Sequence, residues 1–374
     1  MKIVIAMDSF KGTLTACQAC EIVANSISEC IPDTHILIKP MADGGEGTAE
    51  AMIKAANGQW IQQTVMGPLP DMQVDTGFAW FDSDRTALVE MASASGLELL
   101  SKDQMNPLRT TTYGTGQLID AALNYDPAKI LLAVGGSATV DGGTGAANAL
   151  GWKFLNEAGN PVPLGGQGLE QITKILEPKD LELPPVEVLC DVDNPLCGEH
   201  GAAKVYAPQK GATPQMVEQL ETGLEHLATL VEKHLQRDIN NVPGAGAAGG
   251  LAAGAIAFMN ANLVSGIETV IAYSNILAEL QSADWLITGE GSFDRQSLYG
   301  KVVSGLAKIA SQSDTHLAVI AGQVNVPQKQ YQKIGIETAV SCRANDMSLD
   351  YVLANCRTLL YSAVQRFAKQ HLFR

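Results

Sequence analysis

Residues 2–27 read KIVIAMDSFKGTLTACQACEIVANSI, and they set the architecture of the chain's opening. KIVIAM (2–7) is a short, continuous apolar run of the kind that forms a buried strand. It stops at Asp8, Ser9, Phe10, Lys11 and Gly12, after which small and apolar residues recur at helical spacing. Gly12 relaxes the turn, and Thr13 or Thr15 can cap the helix through a hydroxyl oxygen. A second strand, THILIKP (34–40), and a second helix, GTAEAMIKAA (47–56), follow. This βαβα opening predicts a parallel sheet with helices on its faces.

The chain has 374 residues, more than one comfortable core holds, and points to about two domains. Apolar residues make up 46% and charged residues 17%, so the chain folds rather than staying disordered. The formal charge of -15 opposes binding to nucleic acid or anionic lipid. Seven cysteines in a chain this long are no disulfide framework. Cys17 and Cys20 sit at CxxC spacing but inside a helix, and read as packing; Cys190, Cys197 and His200 fit no zinc pattern. The run GLAAGAIAFM (250–259) is too short and glycine-rich to span a membrane. With no basic leader, a cytoplasmic protein is expected.

The texture changes near Gln59. WIQQTVMGPLPDMQVDTGFAWF (60–81) places Gly-Pro and Pro-Asp breakers between β-prone runs, as a hairpin or meander would. KILLAVGG (129–136) and PVEVLCDV (185–192) read as strands, and TPQMVEQLETGLEHLATLVEKHL (213–235) as an amphipathic helix. βα alternation returns in ADWLITGEGSFD (283–294), GKVVSGLAKIA (300–310) and THLAVIAGQ (315–323). The simplest architecture is a two-domain α/β protein. Residues 1–65 and 285–374 form one parallel-sheet domain, and residues 66–284 form a second α/β domain inserted into it.

Ligands of parallel sheets gather beyond the carboxyl ends of the strands. Asp8 to Lys11 lie at such an edge, with Lys11 a point positive charge and Asp8 a proton acceptor or a holder of a cation. PMADGGEGTAEA (40–51) repeats the device, with Asp43 and Glu46 flanking Gly44 and Gly45. Carboxylates facing phosphate need an offsetting cation, and Mg²⁺ suits oxygen ligands and phosphates. LLAVGGSATVDGGTGAANALG (131–151) is the densest signal: Gly135, Gly136 and Ser137, then Asp141, Gly142, Gly143 and Thr144. Such a loop can wrap backbone N–H groups around phosphate oxygens, though it matches neither GxxxxGK[ST] nor GxGxxG. The stretch 187–212 holds Asp191, Asp193 and Asn194 after an apolar run. LITGEGSFDRQSLYGKVV (286–303) holds Glu290, Asp294, Gln296, Ser297, Gly300 and Lys301, a set that suits a polyol or phosphate. The glycine run at 244–254 carries no charge and reads as helix packing.

Several candidate anion loops and several acids occur together, with no GxSxG and no HExxH. That combination suits phosphoryl transfer, which relies on positioning, Mg²⁺ and a carboxylate that orients the attacking hydroxyl. The chain resembles the bacterial glycerate kinase family of type I along nearly its whole length. The marks are MDSFKGTLTA, PMADGGEGTAEA, GPLP, NPLRTTTYGTGQLI, GGSATVDGGTGAANALG, CDVDNPLCGEHGAAKVYAPQKGA, GAAGGLAAG and LITGEGSFDRQSLYGKVV, in this order.

The resemblance implies ATP-dependent phosphorylation of D-glycerate to 2-phosphoglycerate. It also implies two α/β domains, one Rossmann-like and one inserted. On this reading ATP and Mg²⁺ are the cofactors, and the protein is a monomer or homodimer. Lys11 and the N–H groups after Asp8 and Ser9 meet the substrate carboxylate or the transferring phosphoryl group. Arg109 pairs with the carboxylate in a bidentate manner. Asp191, or secondly Asp294, orients the attacking hydroxyl, while Asn194, Gln296, Ser297 and Lys301 contact substrate. Asp43 or Asp193 holds Mg²⁺, and the glycine loops with Glu290 hold ATP. Phosphorylation at the 3-hydroxyl is the alternative outcome. A nicotinamide-dependent hydroxyacid dehydrogenase and a noncatalytic phosphometabolite sensor are the competitors from other classes.

Overall fold

In the computed structural model all residues are described except Gly300, Asn345 and Arg374. The strands, in chain order, are β1 (Lys2–Met7), β2 (His35–Ile38), β3 (Gln59–Met66), β4 (Gln73–Phe81), β5 (Thr86–Glu90), β6 (Lys129–Ala133), β7 (Lys153–Leu155) and β8 (Lys174–Leu176). They continue with β9 (Val186–Leu189), β10 (Asn262–Val264), β11 (Trp285–Gly289), β12 (Ser292–Phe293), β13 (His316–Ala321), β14 (Gln323–Val324) and β15 (Ile336–Ser341).

The chain divides into two compact units. The first comprises Met1–Asp43, Glu50–Asn57 and Ile267–Arg374; the second comprises Gly44–Ala49 and Gly58–Gly266. The first unit is built on a five-stranded sheet in the order β15-β13-β11-β1-β2, parallel throughout. KIVIAM forms β1, an interior strand between β11 and β2, buried from Ile3 to Met7 because helices cover both faces of such a sheet. Ile3, Ile5 and Met7 share a core with Val23 and Ile27 of helix Ala16–Cys30 and with Phe367 of helix Cys356–His371. Thr15 starts the first of these helices with a capping box, accepting from Gln18 N (3.2 Å) while Gln18 Oε1 accepts from Thr15 N (3.3 Å). Cys17 and Cys20 are buried on that helix, and burial pushes the Cys17 thiol up to about 12.

The second unit carries a six-stranded sheet in the order β10-β9-β6-β5-β4-β3. β3, β4 and β5 form an antiparallel meander, and β5, β6, β9 and β10 run parallel. One core lies against this sheet, with Val89, Leu132 and Val188. Another gathers Trp152, Phe154 and Phe258 under Leu220, Leu224 and Leu227 of helix Pro214–Leu235. The glycine run serves packing. A Cβ at Gly249 would stand 1.9 Å from Thr139 O, and one at Gly254 2.4 Å from Gly142 O. β3, which the sequence reading left in the first segment, pairs with β4 through the Gly67–Met72 turn. Residues 267–284, read by sequence as inserted, fall in the first unit together with 285 onward. Among the described residues no helix is long and apolar enough to cross a membrane.

Candidate active site

In the first unit β1 lies between β2 and β11, so the sheet changes direction of growth at the β1–β11 pair. Ligands of open α/β sheets bind at such a switch point, outside the carboxyl ends. Asp8 and Glu290 follow immediately on Met7 and Gly289, which are paired in register. Asp8 N donates to Gly289 O (2.8 Å), and its Oδ1 accepts from Ser9 N (2.6 Å). Buried Phe10 and Leu14 pin the loop by reciprocal backbone bonds of 2.9 and 3.1 Å, with Gly12 between them at φ +75°. Lys11 is left exposed on the tip.

The electrostatics of this edge are those of crowded acids. Burial, Asp43 and Glu290 push the Asp8 carboxyl from 3.8 up to about 7, against the Ser9 N–H and Lys11. Burial also raises Glu290, with Ser297 and Lys301 opposing and Asp294 and Asp43 reinforcing. Glu290 Oε1 is buried without a hydrogen-bond partner among the described residues. The fold therefore brings Asp8, Lys11, Asp43, Glu290, Asp294 and Lys301 into one neighbourhood with buried Ser297. Asp294 Oδ1 accepts from Gln296 N (2.8 Å) and forms a local turn, while the Gln296 side chain is exposed. Lys301 precedes helix Val302–Ala310, and Gly300 lies outside the described residues.

The glycine loops of the second unit have the opposite character. A Cβ at Gly135 would lie 2.4 Å from Gly45 Cα, and Gly135 N donates to Gly44 O (3.4 Å), so the two glycine pairs touch. Helix Thr48–Ala56 begins here, but its start is not open to an anion. Glu90, at the end of β5 and only 7% exposed, accepts from Gly47 N (2.8 Å) and Ala49 N (3.0 Å). Asp141 does the same for two more helices. Fully buried, it accepts from Thr112 N (2.8 Å), Gly143 N (3.1 Å) and the Thr112 hydroxyl (2.9 Å), at the starts of Tyr113–Leu123 and Thr144–Ala149.

This alters how the densest motif works. Gly142 N donates to Gly249 O (3.1 Å), Gly143 N to Asp141 Oδ1 and Thr144 N to Asp141 O (3.1 Å). Those three N–H groups, expected to cradle phosphate, are taken up inside the protein. The part that faces outward is Gly135–Gly136, where Gly136 is exposed at φ +71°. Beneath it Lys210, 2% exposed, donates to Ser137 Oγ and to Thr139 O (2.7 Å). Burial lowers the Lys210 ammonium to about 7, and Asp141 pulls it back up.

Sequence reasoning missed Glu90 and gave Asp141 and Lys210 no individual role. An acid directly ending the apolar strand TALVE was the available signal for Glu90. Other expected residues are more peripheral. Asp191 and Asp193 are exposed, and Asp191 Oδ1 accepts from Gly266 N (3.1 Å). Asn194 braces its loop, accepting from the Tyr206 hydroxyl (2.6 Å) and donating to His200 O (2.8 Å). Arg109 is exposed, and its buried neighbour Thr110 donates to Ala138 O (2.8 Å), which ties this segment to the motif.

The glycerate kinase family model matches residues 3–372. The chain belongs to the glycerate kinase family, and the protein is a kinase. It is 42% identical over 370 residues to the glycerate kinase of Halalkalibacterium halodurans, covering 98% of this chain and 97% of that one. It is 40% identical over 354 residues to the glycerate 2-kinase of Escherichia coli, covering 94% and 92%. A crystal structure from Salmonella typhimurium LT2, provisionally described as glycerate kinase 2, superposes with a TM-score of 0.85 at 39% identity, covering 99% and 98%. The two α/β units and the parallel sheet of this chain agree with the fold class expected from the sequence.

Proposed function

We propose that the protein transfers the γ-phosphoryl group of ATP to the 2-hydroxyl of D-glycerate. The observation that carries this is family membership over nearly the whole chain, joined to 40% identity with a glycerate 2-kinase. The reading brings with it a cytoplasmic setting and a monomer or homodimer.

Gly135, Gly136 and Ser137, backed by Gly44 and Gly45, are the segment we assign to the ATP phosphates, with Glu290 at the acidic edge. Gly142, Gly143 and Thr144 support that segment as a packed turn. Among the described residues no group of three or more His, Cys, Asp or Glu is arranged to hold a metal alone. Kinases bind Mg²⁺ with one or two carboxylates plus phosphate oxygens, so this does not conflict with the requirement. The orphaned Glu290 Oε1 and the mutual repulsion of Asp8, Asp43 and Glu290 fit a neighbouring cation. Asp43 is our first ligand and exposed Asp193 our second; Mg²⁺ would supply charge neutralisation for the transferring phosphoryl group.

We shift the role of orienting the attacking hydroxyl from Asp191 and Asp294 to Asp8. Asp191 is exposed and accepts from Gly266 N at the start of helix Gly266–Ser274, and Asp294 accepts from Gln296 N within a local turn. Asp8 stands at the switch point directly beyond β1, among the acids of that edge, where a carboxylate can take the proton of the attacking hydroxyl. Lys11 with Ser9, and Lys301 with Gln296 and Ser297, would meet anionic and hydroxyl oxygens, and Arg109 the glycerate carboxylate. Asn194 keeps a bracing role only.

The test is ADP release with ATP, Mg²⁺ and D-glycerate. We expect turnover that needs all three. Reduction of NAD by glycerate without ATP would support a dehydrogenase instead, and ligand binding without ADP release would support a sensor.

A further inference from the structure

A lysine is almost never fully buried unless its charge is matched. Lys210 is buried and its ammonium is aimed at two atoms only two residues apart, Ser137 Oγ and Thr139 O. Ala138, between them, is held from other sides: its N–H donates to Ser95 O (2.9 Å) and its carbonyl accepts from Thr110 Oγ1 (2.8 Å). Asp141, two residues further on, supplies the balancing charge. Residues 137–139 are thus held by Lys210, Ser95 and Thr110, while Gly136 just before them is exposed, its carbonyl accepting from Leu97 N (2.8 Å). An apolar side chain of similar length would fill the same space at no desolvation cost, so the ammonium is there for its hydrogen bonds.

We infer that Lys210 is a positioning residue for ATP: by holding the Ser137 hydroxyl and the Thr139 carbonyl, it fixes the exposed Gly135–Gly136 turn in the geometry that receives phosphate. Fixed donors and dipoles cost no reorganisation when charge arrives, so the clamp acts on nucleotide affinity. The inference rests on reading Gly135–Ser137 as the ATP-phosphate segment.

The test compares steady-state kinetics of Lys210→Met, Ser137→Ala, the double variant and Gly136→Ala with wild type, at equal folded fraction by circular dichroism. Lys210→Met is expected to raise the KM for ATP about tenfold or more, as loss of a hydrogen bond from a charged donor does. The KM for glycerate should stay at the wild-type value. Ser137→Ala should move the ATP KM in the same direction. The double variant should be no worse than the more severe single one, because both break one link. An unchanged ATP KM in folded Lys210→Met overturns the inference, as does a parallel change in both KM values and kcat. If Lys210→Met does not fold, Ser137→Ala decides alone, and an unchanged ATP KM there is the overturning result. Gly136→Ala reads the underlying assignment separately. If it leaves the ATP KM unchanged, the phosphate segment itself is misassigned; if it raises the ATP KM while Lys210→Met and Ser137→Ala do not, only the role of Lys210 falls.

Discussion

Asp8, half-buried directly after β1, and Asp141, fully buried in the loop between β6 and helix Thr144–Ala149, are treated by the protein in opposite ways. Asp141 is surrounded by donors, two backbone N–H groups and the hydroxyls of Thr111 and Thr112, which hold two helix starts together and oppose the upward push that burial gives its carboxyl. Asp8 takes a single N–H from Ser9, and other acids crowd it. A carboxylate saturated with donors is part of the scaffold. One left short of them is held in a costly state, and that cost is tolerated where a ligand relieves it. In this protein the glycine-rich segment of the second unit belongs mainly to the first kind, and the β1–β11 edge to the second.

The comparison breaks most sharply in activity. Asp8→Asn is expected to lower kcat by about 10²–10⁴-fold, the usual contribution of a positioned general base, with folding intact. A kcat within a few-fold of wild type at saturating substrates would return the role to Asp191. Stability supplies the opposite arm. Asp141→Asn turns an NH₂ toward either Gly143 N–H or Thr112 N–H and strips Lys210 of its counter-charge. It should cost about 3 kcal/mol in urea unfolding, as leaving a buried donor unsatisfied does. Glu90→Ala, which uncaps helix Thr48–Ala56, should cost less, about 1–2 kcal/mol by the same measurement. If Asp141→Asn were neutral, the contrast between the two regions would be void.

The smallest effect is the most diagnostic in sign. Asp8 takes up its proton near pH 7 when folded and near 3.8 when unfolded. Between these values the folded state holds more protons, so stability falls as pH rises. Asp8→Asn cannot ionise. In metal-free buffer it should melt above wild type beyond pH 7, and the gap should close toward pH 4. A variant that melts below wild type at pH 8 would show that Asp8, like Asp141, is a scaffold acid.

Much of this was legible in the chain. β1, the capped helix after it and the antiparallel entry to the second sheet each rest on neighbours close in sequence, where apolar period and turn chemistry act directly. The acidic edge was legible too, because strand ends are where parallel sheets place ligands. What could not be read was which N–H groups remain free. Gly143 looks available until Thr112 and Asp141 are folded against it, and Gly47 until Glu90 arrives from the end of β5. Those partners are distant in sequence, and no local pattern encodes the pairing. The edge of the inserted segment was misjudged for a related reason: β3 declares its sheet only through its partner β4.

Phosphorus NMR of the product formed from D-glycerate, ATP and Mg²⁺ bears most directly on the proposed reaction. Phosphate on the secondary carbon couples to one proton, and the account predicts a new phosphomonoester doublet growing with ADP. A triplet, from phosphate on the primary carbon, or the absence of any phosphomonoester as ATP is incubated with glycerate, would contradict it.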